Sequence, residues 1–264
     1  MRGRVSPVGG GVVLGDNMAF DENVINYDRY RTRYVKELFD DLFAYSSCIE
    51  DSRVVEVGCG TGQATSWVLE TGCTLTAIEI GKNLCDFTRG KYKNYPKFEV
   101  LNLPFEDYTM EESSIDMVFS ASAFHWIPDD VGYPKIHNAL KKGGCFAIIG
   151  CPVEVASENM ELKTEIERLE REYFPQSDNI AKNGHDLMRL KFKKYSFSDI
   201  VHKQYSAFRE LNADEYIGLM LSISMFSELS EVDKNSLFKK MHEVINAHGC
   251  IQIHDKIDLY VGRK

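Results

Sequence analysis

Arg53-Val54-Val55-Glu56-Val57 runs directly into Gly58-Cys59-Gly60-Thr61-Gly62, and a helical pattern through Trp67, Val68 and Leu69 follows. A short apolar run, a loop with glycine at alternate positions and a helix make one strand–turn–helix unit, in which the chain turns sharply and brings its backbone close to a ligand. Further apolar runs follow at Leu75–Ile80, Phe98–Leu101, Ile115–Ser120 and Cys145–Ile149. Helical stretches separate them at Leu84–Tyr92 and Tyr133–Leu140, and Gly143-Gly144 reads as a turn before the fifth strand. Strand and helix alternating at this rhythm predict βαβ units and a parallel sheet covered on both faces.

The pattern divides the chain into a glycine-rich leader over residues 1–17, a cofactor-binding core over 18–151, a helical cap or insertion over 152–200 and C-terminal strands and helices over 201–264 that complete the sheet. Leu162, Ile166 and Leu169 share one helical face in the insertion. Val201–Leu211 and Cys250–Val261 read as strands, the latter with a kink at Asp255-Lys256. Leu237, Phe238, Met241, Val244 and Ile245 predict an amphipathic helix between them. The fold class is α/β: a doubly wound, mostly parallel sheet of about seven strands, the last antiparallel, carrying a helical cap.

Composition narrows the function. The 264 residues hold 31 Lys and Arg against 40 Asp and Glu, a net charge of -9, which opposes a polyanionic partner, so no nucleic acid is expected. The longest apolar runs are far shorter than a membrane span, and no membrane association is expected. Seven scattered cysteines without a Cys-x-x-Cys pair fit a reducing, cytoplasmic setting. The histidines lack ligand spacing, so no metal is expected. Asp129-Asp130 reads as a helix N-cap.

The loop separates cofactor classes. A Walker loop would need Gly-Lys-Ser/Thr, which is missing. The dinucleotide fingerprint wants a small third residue where Gln63 or Thr65 stands, which leaves a nicotinamide oxidoreductase as the third choice. Glu56, just before the first glycine, suits a cationic ligand tail better than a pyrophosphate. Glu79 closes the second strand, where a carboxylate accepts from both hydroxyls of a ribose.

At these residues the chain resembles class I S-adenosylmethionine-dependent methyltransferases, which have a Rossmann-like sheet. The likeness runs through Glu56, Gly58, Gly60 and Gly62, the acid at Glu79, Ile115-Asp116-Met117-Val118 and Leu140-Lys141-Lys142-Gly143-Gly144. Phe105-Glu106-Asp107-Tyr108 and Ser122-Ala123-Phe124-His125-Trp126 are similar to a small-molecule subgroup that includes trans-aconitate-type methyltransferases. Tyr27-Asp28-Arg29-Tyr30-Arg31 resembles that subgroup's opening segment, although both of its prolines are missing. The likeness covers roughly Phe20 to Ile149. It implies S-adenosyl-L-methionine as cofactor, in contact with Arg31, Glu56, Gly58, Cys59, Gly60, Gly62, Glu79, Ile80, Phe105, Glu106 and Ser120. Arg31 would pair with the cofactor carboxylate, Glu79 with the ribose, and Phe105, Glu106 and Ile80 would surround the adenine. Glu106 and Arg31 are also readable as solvated surface charges.

The implied reaction moves a methyl group to a small-molecule acceptor, a carboxylate among the candidates, by in-line displacement. His125 follows the fourth strand at the edge where that group would emerge. It serves as a general base, as a positioning group or only as a local hydrogen-bonding residue. The alternative reading is an S-adenosylmethionine-binding protein without transferase activity, a sensor or partner subunit.

Overall fold

The computed structural model describes residues 21, 24–156, 159–175 and 184–264. The leader over residues 1–17 and most of the polar stretch Pro175–Gly184 lie outside the described residues. In chain order the elements are α1 (Val24–Tyr30), α2 (Lys36–Ser46), β1 (Arg53–Val57), α3 (Thr65–Leu69), β2 (Thr74–Glu79), α4 (Lys82–Lys91), β3 (Phe98–Asn102), β4 (Ile115–Ala121), α5 (Asp129–Ala139) and β5 (Leu140–Gly150). There follow β6 (Val153–Val155), α6 (Met160–Tyr173), α7 (Gly184–Lys194), β7 (Ser198–Leu211), α8 (Ala213–Met220), α9 (Ser224–Ser227), α10 (Glu231–His248) and β8 (Ile251–Arg263).

The sheet runs β3-β2-β1-β4-β5-β8, with β6 and β7 also paired to β8. Strands β1 to β5 are parallel, and β8 is antiparallel to β5. The described strands number eight, but β5 and β6 meet one edge of β8 in succession. Gly150 pairs with Asp258 and Val153 with Asp255, while β7 lines the other edge throughout. The short β6 therefore continues β5, and the sheet is seven positions wide. The break at Cys151-Pro152 lies in the partner of β8. The expected kink at Asp255-Lys256 is not a kink, because β8 runs unbroken through both residues.

Alternation along the strands builds two cores. Val54, Met117, Phe119 and Ala147 face Leu38, Phe39 and Leu42 of α2 and Val68 of α3. Val55, Val118, Phe146 and Ile148 face Tyr133 and Ile136 of α5 and Phe192 of α7. The Gly143-Gly144 turn sits inside the span of β5: Ile115 pairs with Leu140 and Met117 with Cys145, so Lys141–Gly144 bulge out. There Lys141 Nζ reaches Asp116 at 2.8 Å.

A third cluster joins α6, α8 and α10 through Leu162, Ile166, Tyr216, Leu219, Leu237 and Met241, closed by Ile251 and Ile253 of β8. This helical layer draws on segments before and after β7. α7 packs on the sheet instead, with the Phe192 ring 5.5 Å from that of Phe146. Among the described residues no helix is long and apolar enough to cross a membrane.

Candidate functional site

The carboxyl ends of β1, β2, β4 and β5 open into one cavity of about 770 Å³. Such a place, outside the carboxyl ends of parallel strands, is where open α/β sheets hold ligands. Gly58, Gly60, Glu79, Ile80, Phe105, Glu106, Arg31 and His125 all line it. Residues far apart in the chain therefore meet on one wall.

The glycine loop is left-handed at Gly58 (φ 71°), Gly60 (φ 55°) and Gly62 (φ 84°). A Cβ on Gly58 would stand 2.4 Å from the Ala123 Cβ, so this glycine lets β1 and the loop after β4 close on each other. A Cβ on Gly62 would meet the Tyr92 ring at 2.4 Å. Gly62 thus serves the packing of the loop on α4, and the Tyr92 hydroxyl donates to its carbonyl at 2.7 Å.

Glu79 ties the loop to β2. Its carboxylate accepts from the Gly60 amide at 2.8 Å and the Gly81 amide at 2.9 Å. Burial raises its pKa, and those two amides work against the rise.

Glu56, Cys59, Gly62 and Ser120 do not line the cavity. Glu56 shares the parity of Val54 and so points toward α3, where it accepts from the Thr65 hydroxyl at 2.6 Å. Burial pushes its carboxyl up to about 8, the Thr65 hydroxyl opposing and Glu79 adding to the rise. Cys59 is buried. The Ser120 hydroxyl donates to the Val57 carbonyl at 2.7 Å, locking β4 to β1.

Arg31 follows α1 and lines the cavity beside Tyr27. Its Nη1 donates to the Ser222 carbonyl at 3.1 Å, and its guanidinium lies 5.6 Å from the centre of the Tyr27 ring. Burial works against its charge, but Tyr27, Tyr34 and Cys151 around it leave its pKa raised. No ion pair to Arg31 forms among the described residues. His125 stands on the short turn Phe124–Trp126 with its ring 5.0 Å from that of Trp126. Burial lowers its pKa and the Arg31 charge lowers it further, so the imidazole is neutral at pH 7.

Other lining residues were not named as site residues in the sequence. Tyr27 lies against Gly60, and its spacing to Arg31 was the one signal available. Ile149–Pro152 enter where β5 ends, and Met188 and Lys191 enter from α7. Asp129 also lines the cavity. The N-cap of α5 is Pro128, with Asp129 and Asp130 in the first turn, where they complement the helix dipole. Asp129 pairs with Lys191 at 2.9 Å. No cluster of three or more metal-ligating side chains occurs among the described residues.

Residues 55–148 match the family described as Methyltransferase domain. A methyltransferase-like protein of Schizosaccharomyces pombe is 22% identical over 254 residues, 92% of each chain. The malonyl-[acyl-carrier protein] O-methyltransferase of Acetivibrio thermocellus is 30% identical over 135 residues, 49% of this chain and 47% of that one. The chain thus aligns with about half the length of that enzyme. Among solved structures, Haemonchus contortus phosphoethanolamine N-methyltransferase 2, in complex with phosphomonomethylethanolamine and S-adenosylhomocysteine, superposes with a TM-score of 0.55. It is 18% identical, over 92% of this chain and 57% of that one.

The Rossmann-like sheet, the loop at the end of β1 and the matched domain define a class I S-adenosylmethionine-dependent methyltransferase. The chain is an enzyme of that class, whose cofactor is S-adenosylmethionine.

Proposed function

We propose that the enzyme methylates a small-molecule acceptor bearing a carboxylate, and that Gly58, Gly60, Glu79, Ile80, Phe105, Glu106 and Arg31 hold the cofactor. The residues present fit such a group. Glu79 brings a carboxylate with free acceptor capacity to the cavity wall, suited to a diol. Ile80 and the buried Phe105 offer apolar cover for a flat ring. The Arg31 guanidinium is a cation in the cavity lining, held by the Ser222 carbonyl and suited to a carboxylate. Glu56, Cys59, Gly62 and Ser120 support the cradle from behind.

When bound, the cofactor supplies an activated methyl group on a sulfonium. The chain's part is then to hold the acceptor in line and exclude water.

The observation that carries the carboxylate reading is the state of His125. Burial and the Arg31 charge both disfavour the imidazolium that a base would become, and no hydrogen bond from it to a carboxylate forms among the described residues. A histidine acting as base is commonly oriented and supported by such a partner. An acceptor that arrives already deprotonated needs no base, and carboxyl groups with reference pKa values near roughly 4 do so at neutral pH. His125 is then a positioning group beside Trp126. The likeness to a malonyl O-methyltransferase and to the trans-aconitate-type subgroup points the same way.

The seven free thiols accord with a cytoplasmic location. The test of the carboxylate reading is a comparison of carboxylic acids, phenols and amines as acceptors, read as release of the demethylated cofactor. Turnover confined to phenols or amines would refute it.

A further inference from the structure

Arg209 lies on β7, outside the cavity. Its guanidinium forks onto Asp255 of β8, with Nε to Oδ2 at 2.6 Å and Nη2 to Oδ1 at 2.9 Å. The other contacts go to the last residue of α1 and to the connector that follows it. Nη1 donates to the Tyr30 carbonyl at 3.0 Å, and Nη2 donates to the Thr32 hydroxyl at 3.3 Å. The Thr32 hydroxyl in turn donates to Asp255 Oδ1 at 2.9 Å. Asp255 is 0% exposed and Thr32 4% exposed, while the Arg209 side chain keeps 23% of its surface, so the carboxylate is covered and the guanidinium is partly open to water.

These bonds grip the residues on either side of Arg31. α1 is only 7 residues long and has no buried side chain, too short to hold its own end in place. The direction in which Arg31 leaves the connector therefore depends on tertiary contacts. We propose that Arg209 is a positioning residue: with Asp255 it fixes Tyr30 and Thr32, and so aims Arg31 into the cavity. The inference rests on the reading that Arg31 meets the carboxylate of the cofactor. It makes the β7/β8 arm part of cofactor recognition, although no atom of Arg209 reaches the cavity. A lysine at this position would keep the charge but not the planar fork that binds Asp255 and the connector together.

A salt bridge that merely stabilises the fold would lower the melting temperature without touching Arg31, so the test is a double-mutant cycle. The dissociation constant of S-adenosylhomocysteine is measured by calorimetry on the full chain, alongside the melting temperature. The variants are Arg31→Gln, Arg209→Lys and Thr32→Val, and Arg31→Gln combined with each of the other two. Arg209→Lys should weaken binding by about tenfold, and Thr32→Val by about threefold, in the native background. Neither should change it by more than about twofold once Arg31 is Gln, while the fall in melting temperature stays the same in both backgrounds. Equal losses of affinity in the two backgrounds would overturn the proposal, as would unchanged affinity in the folded single variants. An unchanged dissociation constant in Arg31→Gln alone would instead overturn the reading of Arg31. Thr32→Val deletes a single hydroxyl and carries the test if Arg209→Lys does not fold.

Discussion

The Glu79 carboxylate accepts a hydrogen bond from the Gly60 amide at 2.8 Å, across the top of β1 and β2. One side chain therefore shapes the glycine loop and also presents its remaining lone pairs to the cavity. Glu79→Ala should weaken cofactor binding by about 2 to 4 kcal/mol, because a charged acceptor is lost and the loop loses an anchor. Calorimetric titration with S-adenosylhomocysteine measures this. An unchanged dissociation constant in the folded variant would remove Glu79 from the cofactor site.

Gly58→Ala tests the closeness of β1 to the loop after β4. The new methyl would stand 2.4 Å from the Ala123 Cβ, at a φ of 71°. Denaturant unfolding should show a loss of about 2 to 4 kcal/mol, from left-handed strain and overpacking together. Adding Ala123→Gly should recover the overpacking part and leave about 1 to 2 kcal/mol of backbone strain. If Ala123→Gly brings no recovery in that background, the two loops are not in contact.

Burial of Glu56 makes the stability of the fold depend on pH. The Glu56 carboxyl is raised from its ordinary 4.5 to about 8, chiefly by burial. Between those values the folded chain holds a proton that the unfolded chain has lost. The stability this contributes is present in full below about 4.5 and is lost as pH rises toward about 8. Glu56→Gln keeps the neutral shape and cannot ionise, so unfolding free energy should fall less from pH 5 to pH 8 in this variant than in the native chain. Parallel curves for the two proteins would contradict the assignment.

Much of this cradle was legible because its signals are local. The run into Gly58 and Gly60, the acid at the end of β2 and the aromatic after β3 are each a pattern within a few residues. Glu56 was legible in type but not in direction: Val54 and Glu56 lie on the same face of β1, and that parity sends the carboxylate to Thr65. Gly62 looked like its neighbours, yet its need for a missing side chain comes from Tyr92, 30 residues on. The Arg209–Asp255 fork left no trace in spacing, since it joins two strands 46 residues apart and then a connector 177 residues away. The eighth strand is a consequence of Pro152 and its neighbours, which interrupt the edge of β8 rather than turning the chain.

His125→Asn separates acceptor classes. Burial and the nearby Arg31 keep the imidazole neutral, and no carboxylate partner orients it among the described residues. As a positioning group it should cost about tenfold in kcat on removal, with cofactor affinity intact. A general base is worth on the order of 100- to 10,000-fold. Single-turnover rates of the two proteins decide, and a loss beyond roughly a thousandfold in the folded variant would make His125 the base.

We propose that this chain moves a methyl group onto a carboxylate-bearing small molecule. The most direct test is a turnover screen at pH 7.5 with S-adenosylmethionine and a panel of carboxylic acids, phenols and amines, following S-adenosylhomocysteine and the methylated product together. The account predicts that both accumulate in equal amounts with one or more carboxylic acids, the product being a methyl ester. Formation of an N-methyl or aryl-ether product with no turnover of any acid would contradict it.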